Sequence, residues 1–308
     1  MTGKINQHLG VREWALLMIL GAVWGATMFF TEIALVELQP FTLAFGRVLI
    51  AGLALWVVAG LLGHKLPLNL AAWAPFFVLG ALNNALPFSL IMWGQTEITG
   101  SLASILNATT PLSAVIIAHF LTRDEKLSAG KIFGVFVGLA GVAVMIGLDA
   151  LQGLGLGIFA QLAVITAGVS YSFAGVYGRR FHGTPPVVVA SGQLMASSVL
   201  LLPWALLVDQ FWTLPSLLPA TWAALIAMAL LSTALAYLFY FQLLASSGAT
   251  NVLLVTFLVP VSAIFLGFVF LGERLEPQHI LGMVLIALGL AAIDGRALQI
   301  FRTTNKNI

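Results

Sequence analysis

The chain has 308 residues, of which 60% are hydrophobic and only 8% charged, with a formal net charge of +2 and no cysteine. Soluble domains carry roughly 25% charged residues, so composition excludes a water-soluble globular protein and makes lipid the solvent for most of this surface. The small charge gives no grip on nucleic acid, and without cysteine there is no disulfide, thiolate metal site or thiol nucleophile.

A helix that crosses a bilayer needs about 20 mostly apolar residues. In chain order the sequence predicts ten, after a polar start that ends near Glu13: 13–32, 40–62, 71–94, 98–121, 129–147, 155–177, 186–208, 217–243, 247–271 and 277–294. The first is long enough to be a retained span rather than a cleaved leader. It carries Trp24-Gly25 at mid-depth, away from the interfaces where tryptophan usually collects, and it ends at Glu32. The second opens on Pro40 and holds Arg47, the one charge well inside a span; Gly63-His64-Lys65-Leu66-Pro67 closes it. The third brings Asn83, Asn84 and Pro87, and the fourth Asn107 and Pro111, before the turn Arg123-Asp124-Glu125-Lys126. The fifth shows a small-residue face, Gly134, Gly138 and Gly141, suited to close helix packing. Tyr171 lies in the sixth, which stops at Arg179-Arg180-Phe181-His182-Gly183, and Gln193 in the seventh. The eighth holds Thr233, Tyr237 and Tyr240 on one stripe, the ninth Thr256 and Pro260, and the tenth Gly282 and Gly289. A β-barrel is the other way to satisfy backbone groups in lipid, but runs such as Val187-Val188-Val189 lack its alternation.

With ten spans both termini share a side. Placing them in the cytoplasm puts eleven of the thirteen basic residues inside, from Lys4 and Arg12 to Arg302 and Lys306, and leaves Glu37, Glu97, Asp149, Asp209, Glu273 and Glu276 in the opposite loops. The positive-inside rule therefore sets cytoplasmic termini.

The chain is also written twice. Pro111 matches Pro260, Asn84 matches Thr233, Asn107 matches Thr256 and Trp73 matches Trp222, all 149 residues apart; Arg47 matches Gln193 at 146. The turn Asp124-Glu125-Lys126-Leu127 likewise returns as Gly272-Glu273-Arg274-Leu275. Residues 1–149 and 150–308 are thus two halves of five spans each. An odd number forces the second half to enter upside down, an inverted-repeat design whose substrate site is expected near the midplane between the halves. The fold class expected is all-α integral membrane, with ten transmembrane helices in two inverted repeats.

Polar groups within a span are costly, about 2.5–3.5 kcal/mol for a charge at the helix centre, so they are candidate site residues. Arg47 either anchors a substrate carboxylate through bidentate hydrogen bonds or pairs with Glu32. Asn84 with Thr233, and Asn107 with Thr256, suit a shared cavity or hydrogen bonds between helices, and Gln193 is the repeat mate of Arg47. Trp24, Tyr171 and Tyr237 add polar-tipped aromatic surface, as wall or as packing. Pro111 and Pro260 remove backbone donors at matched places and are hinge candidates. An apolar, aromatic cavity with few charges suits a neutral or zwitterionic substrate of modest size. No acid pair, nucleophile set or metal-ligand cluster falls within a span, so neither an enzyme nor a resident cofactor is expected.

These features together resemble the drug/metabolite transporter superfamily, and in particular the EamA-type ten-helix exporters, among them the YddG-like amino-acid exporters. The resemblance rests on Trp24-Gly25 in the first span, on Pro111 and Pro260, and on the acidic-basic turns that follow, and it covers nearly the whole chain. It implies a bacterial inner-membrane exporter of amino acids or related metabolites, working by alternating access as a monomer or weak homodimer. A drug exporter or a passive facilitator is the alternative. The four-helix multidrug relatives keep a carboxylate in the first span where this chain has Trp24, which argues against proton exchange carried by that acid.

Overall fold

The computed structural model describes residues 9–67, 69–146, 157–270 and 277–294. The turn Gly272-Glu273-Arg274-Leu275, the span ends 147, 155–156 and 271, Lys4, Asp149, Glu276 and residues 295–308 lie outside the described residues.

All ten expected spans are helices. The first two are α1 (Val11–Leu35) and α2 (Pro40–Leu61). The third, α3, is built from a short turn at Leu70–Trp73, then Ala74–Gly80, a π-helical segment at Ala81–Ala85, and Leu86–Glu97. The fourth, α4, comes in two pieces, Gly100–Asn107 and Thr110–Leu121. Then follow α5 (Ala129–Ile146), α6 (Ile158–Gly178) and α7 (Pro186–Leu207). The eighth, α8, runs through Pro219–Ala229, a second π segment at Leu230–Leu235, and on from Ala236 to a kink at Gly248. After the kink α9 covers 249–253 and Val255–Phe270, and α10 is Pro277–Asp294. Several starts, including Pro40, Pro186 and Pro219, use proline where a helix has no internal partner for that N–H.

Three details depart from expectation. The connection between α8 and α9 is a single residue, Gly248 at φ 84°, where a loop at 244–246 was expected. Only glycine takes that conformation without strain. The break in α4 falls at 108–109, so Pro111 sits second in a new helix, where a missing N–H costs nothing. Pro260, its sequence mate, lies inside a continuing helix. The matched prolines therefore do different local work. The two π segments, by contrast, start at matched positions 149 residues apart.

The packing is that of an inverted duplication. Helix α1 packs on α8 and α9, and its image α6 packs on α3 and α4. The pairs α2–α7 and α5–α10 join the halves. Backbones touch in the last of these: a Cβ on Gly134 would lie 2.6 Å from the Gly289 carbonyl oxygen, and one on Gly141 2.8 Å from that of Gly282. The glycine faces read from the sequence thus meet each other, which is how helices associate when lipid removes the hydrophobic drive between them.

Candidate functional site

A cavity lies between the α1–α8–α9 group and the α3–α4–α6 group, reached by one side chain of α2. Its volume is about 80 Å³ when counted as room for the centre of a water molecule. Adding a water radius brings this to roughly 290 Å³, near the lower end of small-molecule sites.

Arg47 is that α2 side chain. It is 5% exposed. Its Nε donates to Thr233 Oγ1 at 2.7 Å and its Nη2 to the Ser232 carbonyl at 3.4 Å, while the guanidinium carbon stands 4.0 Å over the Phe88 ring. Nη1 makes no hydrogen bond among the described residues, and Arg47 has no ion pair there. The expected alternative of a pair with Glu32 is therefore not formed. Glu32 is exposed and its carboxylate lies against Gly100 at the start of α4 instead. Depth alone suggested Glu32; Thr233 reaches the guanidinium because the π segment of α8 turns it toward α2. Leaving a buried cation without a counter-ion costs several kcal/mol. The contact with Phe88 offsets about 2 kcal/mol when desolvated, and the two charge-assisted bonds contribute more.

Six of the expected residues line the cavity: Trp24, Arg47, Asn107, Tyr171, Tyr237 and Thr256. The other three sit directly behind the wall. Asn84 is fully buried, donates to Ser197 Oγ at 3.0 Å and accepts a very short bond from the Tyr237 hydroxyl. Gln193 accepts from Asn83 Nδ2 at 3.1 Å, and Thr233 holds Arg47. Asn83, not Asn84, faces the cavity, because the π segment shifts the register between them. Trp24 is fixed by its indole N–H, which donates to the Ser232 carbonyl at 3.0 Å, and its ring packs on Tyr237 and Tyr240 at 6.4 and 6.0 Å. The carbonyl of Asn107, freed by Pro111, accepts from Thr110 Oγ1 at 2.6 Å.

Sequence reasoning missed the residues that reach toward the far face, the one opposite the start of α1. Thr27, Met28 and Thr31 extend the wall along α1, and Phe88, Ile91, Met92 and Gln95 along α3. The signal was available for two of them. Phe88 and Ile91 stand 149 residues before Tyr237 and Tyr240, so one stripe lines the cavity from both halves, apolar in α3 and hydroxylated in α8. Among these residues Thr27 Oγ1, the Tyr240 hydroxyl and both amide atoms of Gln95 are buried without a hydrogen-bond partner.

On the N-terminal face the two groups are sealed together. Glu125, 4% exposed in the turn after α4, accepts the N–H of Ala249 at 2.9 Å and of Thr250 at 2.8 Å, so it caps the new start of α9 made by Gly248. Arg179 at the end of α6 donates to Glu125 Oε1 at 3.3 Å and to Asp124 Oδ2 at 2.6 Å. The Arg179 hydrogen bond holds the Asp124 carboxyl below its ordinary value. Below the cavity Gly175 lets α6 approach Ala249, and Gly178 sits against Leu244. The far face has acidic ties of its own, with Glu37 accepting from Leu218 N at 3.0 Å and from the Thr221 hydroxyl, and Asp209 from Thr42 N at 2.6 Å. These join α1, α2, α7 and α8; Thr31 and Gln95 carry the cavity to within about a turn of the helix ends, where Glu32 of α1 and Gln95 of α3 come together beside Gly100.

A ten-helix, inverted-repeat membrane fold with a cavity between its two packed groups defines a multi-pass transporter. Comparison with known proteins gives the family: the EamA-like transporter family matches residues 12–147 and again 158–293, and the chain belongs to it. Similar proteins include the uncharacterized transporters YoaV and YvbV of Bacillus subtilis. They are 24% and 28% identical, over 87% and 93% of this chain and 91% and 92% of theirs. The uncharacterized inner membrane transporter YedA of Escherichia coli K12 is 27% identical over 90% of this chain and 89% of its own. A solved crystal structure at 22% identity superimposes with a TM-score of 0.75 over 94% of this chain and 98% of that one, which concerns the fold alone.

Proposed function

We propose that this chain exports small metabolites that carry a carboxylate, amino acids or their relatives, from the cytoplasm across the inner membrane by alternating access. The observation that carries the reading is Arg47: a buried cation on the cavity wall that has, among the described residues, no counter-ion and no partner for Nη1. A substrate carboxylate would supply both the missing charge and the acceptor. Cationic drugs fit poorly beside it. The termini are cytoplasmic in this reading, supported by the distribution of lysine and arginine, so the face tied by Glu125 and Arg179 is the cytoplasmic one and the cavity extends toward the outer face. The two packed groups rock about the cavity, α1–α8–α9 against α3–α4–α6, so each moving body takes helices from both repeats, and the interruptions at 108–109 and 254, each upstream of Pro111 or Pro260, are where α4 and α9 bend. None of the lining residues is acidic, which favours a facilitator driven by the substrate's own gradient over proton exchange. Counterflow of labelled amino acids and related acids in proteoliposomes tests the reading. At least one carboxylate is expected to exchange, and Arg47→Gln to reduce that exchange at least tenfold with the fold intact. Exchange of a cationic dye, with none of any carboxylate, overturns it.

A further inference from the structure

We infer that the cavity selects an organic monoanion, a monocarboxylate whose second polar group is uncharged, in preference to a zwitterionic amino acid. The inference rests on the transport reading above and sharpens it to a charge class.

Charge counting comes first. Among the described residues the wall contributes one permanent cation, Arg47, and no carboxylate. A monoanion brings the filled cavity to neutrality. A zwitterion leaves it at one net positive charge, in surroundings too apolar to screen it. The nearest acid by depth, Glu32, is exposed and turned to Gly100, so it offers no partner to an ammonium beside Arg47.

The hydrogen-bonding groups point the same way. Tyr171 lines the cavity with Arg47, and its hydroxyl makes no hydrogen bond among the described residues. Like Arg47 Nη1, it is a donor left open to a carboxylate in this cavity. Beyond them Thr27 Oγ1 and the Tyr240 hydroxyl are buried and unpartnered. Hydroxyls both donate and accept, so they suit a neutral hydroxyl or keto group on the substrate. They do not neutralise an ammonium.

The remaining wall defines the rest of the molecule. Phe88, Ile91 and Met92 form an apolar side on α3, opposite the hydroxylated stripe of α8, and Met28 adds apolar surface from α1. The substrate is therefore amphipathic, with a carboxylate at Arg47, a neutral polar substituent toward Tyr240 and Thr27, and a compact apolar body against α3.

Three probes of nearly one shape test this on the wild-type protein in proteoliposomes. They are 3-phenyllactate, phenylalanine and phenethylamine, which carry a carboxylate with a hydroxyl, a carboxylate with an ammonium, and an ammonium alone. Counterflow of phenyllactate is expected to run at least tenfold faster than that of phenylalanine, with phenethylamine at the level of empty liposomes. Phenylalanine exchanging as fast as phenyllactate, or faster, overturns the monoanion class and leaves the carboxylate exporter standing. Phenethylamine exchanging faster than both acids overturns both readings. Exchange of none of the three also overturns the monoanion class, and labelled amino-acid counterflow then decides the broader reading alone.

Discussion

Replacing Glu125 with alanine should release the seal on the N-terminal face. The carboxylate is 4% exposed and accepts two backbone N–H groups of α9 and one N–H of Arg179. Charge-assisted bonds of this kind contribute about 1.5–3 kcal/mol each, and removing one partner of a buried set costs about 3–5 kcal/mol. Asp124 keeps part of Arg179, so the lower figure is the better one. A loss of about 3 kcal/mol falls on the state in which α9 is capped and shifts its population roughly 150-fold relative to a state that lacks the contact. The native chain has no cysteine, so one introduced thiol reports cleanly. Ser247→Cys is nearly isosteric and sits next to the kink at 2% exposure. In detergent its reaction with a polar maleimide should be slow in the Ser247→Cys protein and at least tenfold faster with Glu125→Ala added, with Glu125→Gln between. Equal labelling rates in proteins of similar melting temperature would refute the idea that Glu125 holds the face shut.

Two further outcomes follow from the geometry. Gly134→Val places side-chain carbon where α5 meets the Gly289 carbonyl at 2.6 Å, and overpacking there should cost about 1–3 kcal/mol. Thermal unfolding in detergent should drop by several degrees, while Gly60→Val, which meets nothing within 4 Å, should leave it nearly unchanged. For pH, Asp124 is held below its ordinary value by Arg179, so its contribution is present above that value and lost as pH falls through the lowered one. Being partly exposed, the pair contributes at most about 1 kcal/mol. The melting-temperature gap between wild type and Asp124→Asn should be constant from pH 8 to about 5 and should close as pH falls below about 4; a gap that widens on acidification contradicts the sign.

Hydrophobic length and constant offsets made the ten helices, their duplication and the glycine contact of α5 with α10 legible, because each is a property of one segment or of two that repeat. What stayed hidden depended on rotation about a helix axis or on contacts distant in sequence. Depth along α2 suggested Glu32 for Arg47, but depth says nothing of direction, and Thr233 comes from the other half. Asn83 and Asn84 are adjacent, and a purely α-helical register does not foretell which one faces inward. Glu125 was noticed as part of a turn, yet its partners Ala249 and Thr250 lie 124 and 125 residues away, where no local pattern reaches.

The π segments at Ala81–Ala85 and Leu230–Leu235 bear on how this molecule came to exist. A π turn in an otherwise α-helical span corresponds to one residue inserted into it, and deleting that residue would rotate everything beyond it by about 100°. Such a deletion in α3 would swing Phe88, Ile91, Met92 and Gln95 away from the cavity, and one in α8 would do the same to Tyr237 and Tyr240. Two independent insertions at equivalent points of two inverted helices are hard to explain by chance. The simpler history has the extra residue present in a single five-helix ancestor that paired with a second copy of itself before the genes joined. On that history the cavity is older than the chain. What diverged after fusion was the chemistry of the matched stripe, hydroxylated at Tyr237 and Tyr240 on α8 and apolar at Phe88 and Ile91 on α3.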